Sequence, residues 1–361
     1  MSDAKGVLAE TKPIDSRRLP SHLDLPHAVA FYLHDTLARL VVDLESVGAL
    51  SAPLDIEPEE RSALEGLEGD ALFAWLRANG REDVIADLSY RQLTAAVVSD
   101  ACHFLCESLL ASGKGKTVVA YSLLRKPLKE NLLLLEWLAA DPVGFLVRFN
   151  GESDGAYVLN RLSPKERRSI IAAAVAAVAT PGIDEELLWL IRYDKESPNS
   201  LETLWTRATH LVTTVQASRT EPGNLNFVFS TESDVEDQWA HYYRIVPLLL
   251  FYFVALAEHV AARFVNWEED PRQTQLMLRN LAFLRYCGSA VGTEAMTQAA
   301  RDAAQDIADL LFPCASCAMD RAPSPAHIDH LWLRGELICD ECGQATSLWD
   351  LIQPDSPPAG T

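Results

Sequence analysis

The sequence predicts an all-α, multi-helix body that is followed by a small β module near the C-terminus. Apolar residues recur at three- and four-residue steps along much of residues 22–312, which is typical of amphipathic helices. Several of these segments begin with helix-capping residues. Two pairs of closely spaced cysteines follow the last helical segment, and they indicate a separate small unit.

The composition is that of an acidic globular chain. The 361 residues include 31 lysines and arginines against 51 aspartates and glutamates, which gives a formal net charge of −20. Such a surplus of carboxylates opposes binding to DNA, RNA or anionic lipid, so any nucleic-acid site must be a local basic patch. The 48% hydrophobic fraction supports at least one full-sized core and excludes global disorder.

Export and membrane insertion are not expected. The first 22 residues contain no continuous apolar run of the kind that a secretory signal requires. Two apolar runs, at residues 245–257 and 169–179, fall short of the ~20 residues that cross a bilayer. We therefore expect a cytoplasmic protein without a membrane span, in which the seven cysteines stay reduced.

The N-terminal half of the body is predicted from its apolar periodicity. A long amphipathic helix is expected over residues 26–47, and the acidic stretch 55–70 suits a short exposed helix and a loop. Apolar-rich helices follow over residues 90–110 and 117–140, and Pro127 should bend the second. The short turn between these two helices predicts that they form a hairpin.

The C-terminal half is predicted mainly from capping residues. Ser163, Pro164 and Glu166 form a capping box that starts a helix to about residue 178. The later elements are, in order, a helix over 185–193 capped by Asp184, a helix through Val215 that Asn199 and Glu202 begin, a short strand over 225–230, a long helix over 232–264 bent at Pro247, and helices over 272–286 and 293–311.

This pattern predicts five parts of the chain. They are a flexible N-terminal arm over residues 1–21, an N-terminal helical lobe over 22–88, a main α-helical domain over 89–312, a cysteine module over 313–352 and a flexible tail over 353–361.

The two cysteine pairs of the module have the spacing of a zinc ribbon. They are Cys314 with Cys317, and Cys339 with Cys342, separated by 21 residues. Each CxxC turn lets two thiolates point at one centre, and two such turns complete a tetrahedron. We predict a structural Zn²⁺ ion held by all four cysteines, which makes the module a small β zinc ribbon.

The segment between the two cysteine pairs leaves one alternative open. Residues 331–338 are predicted to form a β-hairpin that turns at Gly335. The first pair lacks the glycine that commonly follows the second cysteine, so His327 or His330 could replace a thiolate.

Charge suggests a protein partner for this ribbon. Residues 313–352 hold Arg321 and Arg334 against six acidic residues, and zinc with four thiolates adds two negative charges. A closed four-ligand site leaves no position for a substrate, so the ion is expected to stabilise the fold. A protein-contact or stability role is therefore favoured over nucleic-acid contact.

The strongest basic patch is predicted around the turn at residues 113–117 and the helix that follows it. This turn imitates the end of a phosphate-binding loop, but Leu110 stands where that motif needs glycine. The candidate ligand-binding residues for an anionic partner, which could be RNA, are Lys114, Lys116, Arg125 and Lys129.

Two further sets of polar residues carry alternative interpretations. Arg125, Lys129 and Glu136 lie on one helical face, where half-buried charges form either a structural ion network or a functional cleft. Arg207 and His210 share a polar helical face and are candidate catalytic acid and base residues. A merely hydrated or hydrogen-bonded face is the alternative for this second pair.

Two motifs are the leucine-rich run from Leu123-Leu124-Arg125 to Leu135-Glu136-Trp137 and the later stretch Trp205-Thr206-Arg207-Ala208-Thr209-His210. In these motifs the chain resembles uncharacterised bacterial all-helical proteins that are distantly similar to HEPN-type domains, and the resemblance covers residues 89–265. Active HEPN ribonucleases carry an arginine, four to six residues and then a histidine, and use the pair on the RNA 2′-hydroxyl and scissile phosphate. Here that spacing occurs at Arg17 to His22 and at Arg321 to His327, whereas Arg207 and His210 are one turn apart. The resemblance implies a phage-defence or toxin context.

Two functional hypotheses follow. The first is a zinc-ribbon protein that acts by binding, as a phage-defence or regulatory component with a protein partner. The alternative is a HEPN-like, metal-independent RNase or toxin whose site combines Arg125, Lys129, Arg207 and His210.

Overall fold

The fold is a bundle of α-helices with one small two-stranded sheet near the C-terminus. The computed structural model describes residues 19–150, 159–266, 269–291, 314, 316–319 and 324–347, with a few single positions between 298 and 306. The helices are α1 Asp24–Ser46, α2 Pro58–Leu64, α3 Gly69–Ala78, α4 Glu82–Gly113, α5 Thr117–Arg125, α6 Leu132–Ala140, α7 Pro142–Phe149, α8 Pro164–Val178, α9 Glu185–Arg192, α10 Leu201–Thr209, α11 Glu232–Ala261, α12 Glu269–Val291 and α13 Pro325–Arg334. A π-helix, Lys126–Asn131, joins α5 to α6, and the strands are β1 Glu336–Ile338 and β2 Ala345–Ser347.

The predicted fold class is confirmed: an all-α body precedes a small β element that lies beside four clustered cysteines. The predicted helix at 293–311 falls almost wholly outside the described residues. So do the C-terminal tail and all but the last three residues of the N-terminal arm.

Helix α11 lies at the centre of the bundle. It packs against α1, α4, α5, α6, α8 and α12, and its buried residues occupy all its sides from Ile245 to Ala261. A helix that is apolar all round needs such complete cover. Pro247 lies within this helix without ending it.

Two helices, α4 and α11, are long and apolar enough to cross a membrane when judged by length and composition alone. The most apolar stretch of α4 is 50% buried inside the protein, and that of α11 is 72% buried. Packing against neighbouring helices therefore accounts for most of the apolar surface of α11.

The structure differs from the predicted boundary between an N-terminal lobe and a main domain. Helix α4 begins at Glu82 and runs unbroken across residues 88 and 89. Helix α1 packs against α4 and α11, and its residues Leu33 and Leu37 belong to the same hydrophobic core as the later helices. Residues 22–88 are therefore not a separate lobe, because α1 contributes to the core of the main bundle.

Most of the predicted capping residues act as caps. The Ser163 hydroxyl accepts the backbone N–H of Glu166 at 3.2 Å, and the Glu166 carboxylate accepts the N–H of Ser163 at 2.8 Å. Asp184 accepts the N–H of Leu187 at 2.8 Å, as expected for the start of α9.

Helix α10 is shorter than predicted and has a different cap. Ser200, rather than Asn199, caps it, and the helix ends at Thr209 instead of Val215. The Glu202 carboxylate is bound by Lys129 at 2.6 and 2.8 Å, so it does not complete a capping box.

The predicted strand at 225–230 is wrong, because these residues form a turn. Phe227 adopts a left-handed conformation with φ of 60°, which is incompatible with a regular strand. The Asn226 side chain donates to the carbonyl of His210 at 2.8 Å, and its backbone N–H donates to Leu211 at 2.8 Å. These bonds close the loop between α10 and α11.

Pro127 produces a π-helix rather than a simple bend. A proline inside a helix has no N–H to donate, and its ring clashes with the carbonyl four residues earlier. The turn that contains Pro127 is wider than an α-helical turn, and Leu132 donates its N–H to Pro127, five residues back. The Leu128 carbonyl therefore does not receive the Leu132 N–H.

Arg192 donates the hydrogen bond that the Leu128 carbonyl does not receive from the Leu132 N–H. Its Nε donates to the Leu128 carbonyl at 2.8 Å, and its Nη1 lies 2.6 Å from the carboxylate of Glu136. Its Nη2 donates to the Tyr193 hydroxyl, which in turn donates to the Lys129 carbonyl at 3.0 Å. The ion pair thus joins α9 to both the π-helix and α6.

We expect Arg192→Met to lower the free energy of unfolding by about 3–5 kcal/mol, because it leaves the Glu136 charge buried without a partner. Both side chains of this pair are 0% exposed. The measurement is urea denaturation of the full chain.

Arg168→Met is the matched control, since Arg168 pairs with Glu185 and Glu186 on the surface. Its loss should cost about 1 kcal/mol or less. The double variant Arg192→Met/Glu136→Met should be more stable than Arg192→Met alone. Equal destabilisation by the buried and the surface variant would contradict the role given to the buried pair.

Candidate metal centre and basic cleft

The four predicted ligand cysteines lie together. The sulfur atoms of Cys314, Cys317, Cys339 and Cys342 are all within 4.8 Å of one another, a cluster that could bind a metal ion. The Sγ atoms of Cys314 and Cys342 are 3.8 Å apart, and those of Cys317 and Cys339 are 3.7 Å apart. Cys314 and Cys339 are buried, whereas Cys317 and Cys342 are exposed.

The two cysteine turns share one backbone pattern. In the first, Ala318 donates its N–H to Cys314 at 2.7 Å, and in the second, Gly343 donates to Cys339 at 2.9 Å. The residue after the second cysteine is left-handed in both turns, with φ of 56° at Ala318 and 70° at Gly343. The first turn therefore adopts the same conformation although it lacks the usual glycine.

The predicted hairpin at residues 331–338 is wrong. Pro325 occupies the first turn of α13, which continues to Arg334, and Gly335 ends the helix in a left-handed conformation with φ of 70°. Strand β1 instead pairs with β2 across the second cysteine turn, with Leu337 opposite Thr346. Gly335 is a helix C-cap rather than a hairpin turn. The reason is that Pro325 favours the start of a helix, and this helix includes residues 331–334, which were predicted as a strand.

The two histidines are held by carboxylates. His327 forms an ion-pair contact with Asp340, and His330 Nε2 lies 3.4 Å from Glu336. The four sulfur atoms form the cluster without either imidazole.

The remaining cysteines lie in the helical body. Burial raises the pKa of Cys102 to about 12 and that of Cys287 to about 11, which keeps both thiols protonated at neutral pH. Cys106 is half-buried, and burial raises the pKa of its thiol as well. These side chains therefore fit a packing role, as the sequence predicts.

The four predicted anion-binding residues divide between the two ends of α5. Lys114 and Lys116 lie in the turn before this helix, whereas Arg125 ends it and Lys129 lies in the π-helix. Nine helical residues span about 13 Å. The structure therefore does not bring the four into one patch.

Arg125 and Lys129 instead line a cleft between α5, the π-helix and α10. This basic cleft has a volume of about 320 Å³ and is lined by Arg125, Lys129, Glu202, Trp205, Thr206, Thr209 and His210. Lys129 Nζ lies 2.6 Å from Glu202 Oε2 and 6.0 Å from the centre of the Trp205 ring.

Arg207 and His210 do not form the predicted catalytic pair. The Arg207 guanidinium stacks over the Phe227 ring at 5.2 Å and lines a different cavity, whereas His210 lines the basic cleft. The difference arises because α10 ends at Thr209 and His210 has an extended backbone. The two residues therefore do not share one helical face.

No family model, curated protein or solved structure matches this chain.

We expect Ala318→Gly to strengthen metal binding about two- to fivefold, since glycine adopts a positive φ without the ~1 kcal/mol penalty of an L-residue. Chelator competition on the full chain measures this affinity. Gly343→Ala is the mirror control and should weaken binding by a similar factor. A Cβ at Gly343 would meet no atom within 4 Å, so the backbone conformation alone is tested. Unchanged affinity in both variants would contradict the backbone strain inferred at Ala318.

Proposed function

We propose that this chain is a cytoplasmic helical protein that acts by binding, and that a structural zinc ion holds its C-terminal module against a protein partner. The observation that carries the proposal is the closed set of four sulfur ligands on an acidic surface.

Zinc is the metal that this ligand set favours. A Zn–S bond of about 2.3 Å gives a tetrahedron whose edges are about 3.8 Å. Two of the six sulfur separations, 3.8 and 3.7 Å, agree with that edge, and all six are within 4.8 Å. Four thiolates fill the coordination sphere, so zinc would stabilise the module and would leave no position for a substrate.

The surface around the cysteine turns supports a basic protein partner. Asp340 and Glu341 lie between the ligands of the second turn, and both are exposed. Together with the negative charge of a zinc–thiolate centre, they make a surface that repels nucleic acid and attracts cationic side chains. Helix α13 of the module packs against α12 and α1, so this part of the module is covered by the helical body.

The phage-defence or regulatory context is part of the proposal and rests on the resemblance to HEPN-like proteins. The alternative is a metal-independent RNase or toxin. One observation favours this alternative, since Arg125, Lys129 and His210 of its expected site share the basic cleft. Its fourth residue, Arg207, lies outside that cleft and stacks on Phe227.

We expect elemental analysis of the purified chain to find one zinc ion per molecule. Cys314→Ser and Cys339→Ser should abolish binding, because three thiolates hold zinc far less tightly than four. His327→Ala and His330→Ala are the controls and should retain the ion. A metal-free wild-type protein, or loss of zinc from a histidine variant, would overturn the zinc assignment.

The partner is tested by affinity purification of the tagged full chain from its native host. We expect wild type to retain a protein partner and Glu341→Lys to lose it more than tenfold, because the charge reversal repels a basic surface. Glu196→Lys makes the same change on an exposed loop of the helical body and should retain the partner.

Purified wild type is assayed with single-stranded RNA in parallel. Cleavage that His210→Ala abolishes would replace the binding proposal with the RNase alternative. Equal retention of a partner by both lysine variants would refute the proposed surface.

A further inference from the structure

One residue that lines the basic cleft carries a buried hydrogen-bond donor without a partner among the described residues. Trp205 is 1% exposed, and its indole N–H makes no hydrogen bond to any described residue. A buried donor without a partner costs about 1–3 kcal/mol. Trp205 is one of the residues that line the cleft.

Two cationic or polar donors accompany Trp205. Arg125 and His210 are exposed at the cleft, and neither side chain forms an ion pair or hydrogen bond with the part of the chain that the structure describes. The chain has 31 basic against 51 acidic residues, so carboxylates that could pair with an arginine are abundant. An arginine such as Arg125 that pairs with none of those in the described residues is therefore available to a ligand.

The other polar groups of the cleft are already engaged. Both oxygens of Glu202 accept hydrogen bonds from Lys129, so this carboxylate is neutralised. The hydroxyls of Thr206 and Thr209 donate to backbone carbonyls of α10 at 2.9 and 2.8 Å. Among the described residues that line the cleft, the side-chain donors without a partner are therefore those of Arg125, Trp205 and His210, and they favour a ligand with acceptors and negative charge.

The π-helix at one side of the cleft is held by hydrogen bonds from Arg192 and Tyr193. Lys129 lies in the π-helix, and Arg125 immediately precedes it. Arg192 and Tyr193 hold the carbonyls of Leu128 and Lys129, respectively. Single π-turns inserted in α-helices occur frequently at functional sites, where they redirect side chains.

We propose that the basic cleft binds a phosphate monoester, with Arg125, the Trp205 indole N–H and His210 donating to its terminal oxygens. A phosphate monoester offers three terminal oxygens, one for each donor, whereas a carboxylate offers two. The volume of about 320 Å³ lies at the small end of ligand sites, which fits a phosphate group and part of the molecule attached to it. This inference goes beyond the proposed function, because neither zinc nor a protein partner takes part.

Calorimetric titration of the zinc-loaded full chain with AMP, inorganic phosphate and adenosine tests the site. AMP and inorganic phosphate should bind, and adenosine, which lacks the phosphate, should not. Arg125→Gln should weaken AMP binding about tenfold or more, as expected for a charged hydrogen bond. Because Arg125 is exposed, this variant should fold normally.

Trp205→Phe distinguishes a ligand role from a packing role. It removes the unpaired N–H and keeps an aromatic ring, so AMP affinity should fall several-fold while the protein stays folded. If this variant does not fold, Arg125→Gln and His210→Ala decide the question.

Two matched controls locate the binding. Lys116→Gln removes a cation at the far end of α5, and Arg272→Gln removes one from a separate cavity beside α1. Both should bind AMP like wild type. No binding of AMP or phosphate, equal binding of adenosine, or loss of binding only in Arg272→Gln would overturn the proposal.

Discussion

The buried ion pair between Glu136 and Arg192 is the interaction on which the described architecture depends most. Burial raises the pKa of Glu136, and the adjacent guanidinium opposes that rise. Burial also disfavours the charge on Arg192, but the Glu136 carboxylate together with Tyr193 and Tyr252 raises the pKa of the guanidinium above its ordinary value. A buried pair of this kind is strongly destabilising to break, because either partner alone would be an uncompensated charge.

This pair also explains why an irregular helix can lie inside the core. The π-helix leaves the Leu128 carbonyl without its usual amide, and Arg192 supplies the missing donor. Asn131, at the end of the π-helix, donates to Val97 and Asp100 of α4 at 3.0 and 2.7 Å. Lys126 binds the same Asp100 carboxylate at 2.7 Å. The π-helix is therefore held from both sides, and it presents Lys129 to the basic cleft.

Local signals in the sequence predicted the features that depend on neighbouring residues. The capping box of Ser163, the cap at Asp184 and the two cysteine turns were predicted because each motif acts within four residues. The effect of Pro127 was predicted as a bend but not as a π-helix, and the residue that binds the Leu128 carbonyl of that helix, Arg192, is distant in sequence.

The remaining errors also have physical causes. Glu136 lies within a leucine-rich run and needs a cation, but the sequence does not show which of many basic residues folds against it. Gly335 suits a hairpin turn and a helix C-cap equally, and the start of α13 at Pro325 was the overlooked signal. Arg207 and His210 were placed on one face by assuming that α10 continued, whereas the Asn226 loop ends it.

The four-cysteine cluster and the basic cleft belong to different parts of the molecule. The cysteine module contacts the helical body through α13, which packs against α12. Gly335, at the end of α13, lies so close to α12 that an added Cβ atom would be 3.3 Å from the Leu278 side chain. The cleft lies between α5, the π-helix and α10, none of which is part of the module. Metal binding and ligand binding should therefore be separable, with the ion stabilising one surface and Arg192 stabilising the other.

Hydrogen exchange of the backbone amides tests most directly whether Arg192 maintains the π-helix and, through it, the cleft. The comparison is between wild type and Arg192→Lys, which keeps the charge but loses the planar fork that binds both Leu128 and Glu136. We predict that amides of residues 128–132 exchange about tenfold faster or more in the variant, while those in the middle of α4 keep their protection. Unchanged protection at residues 128–132 would contradict the account.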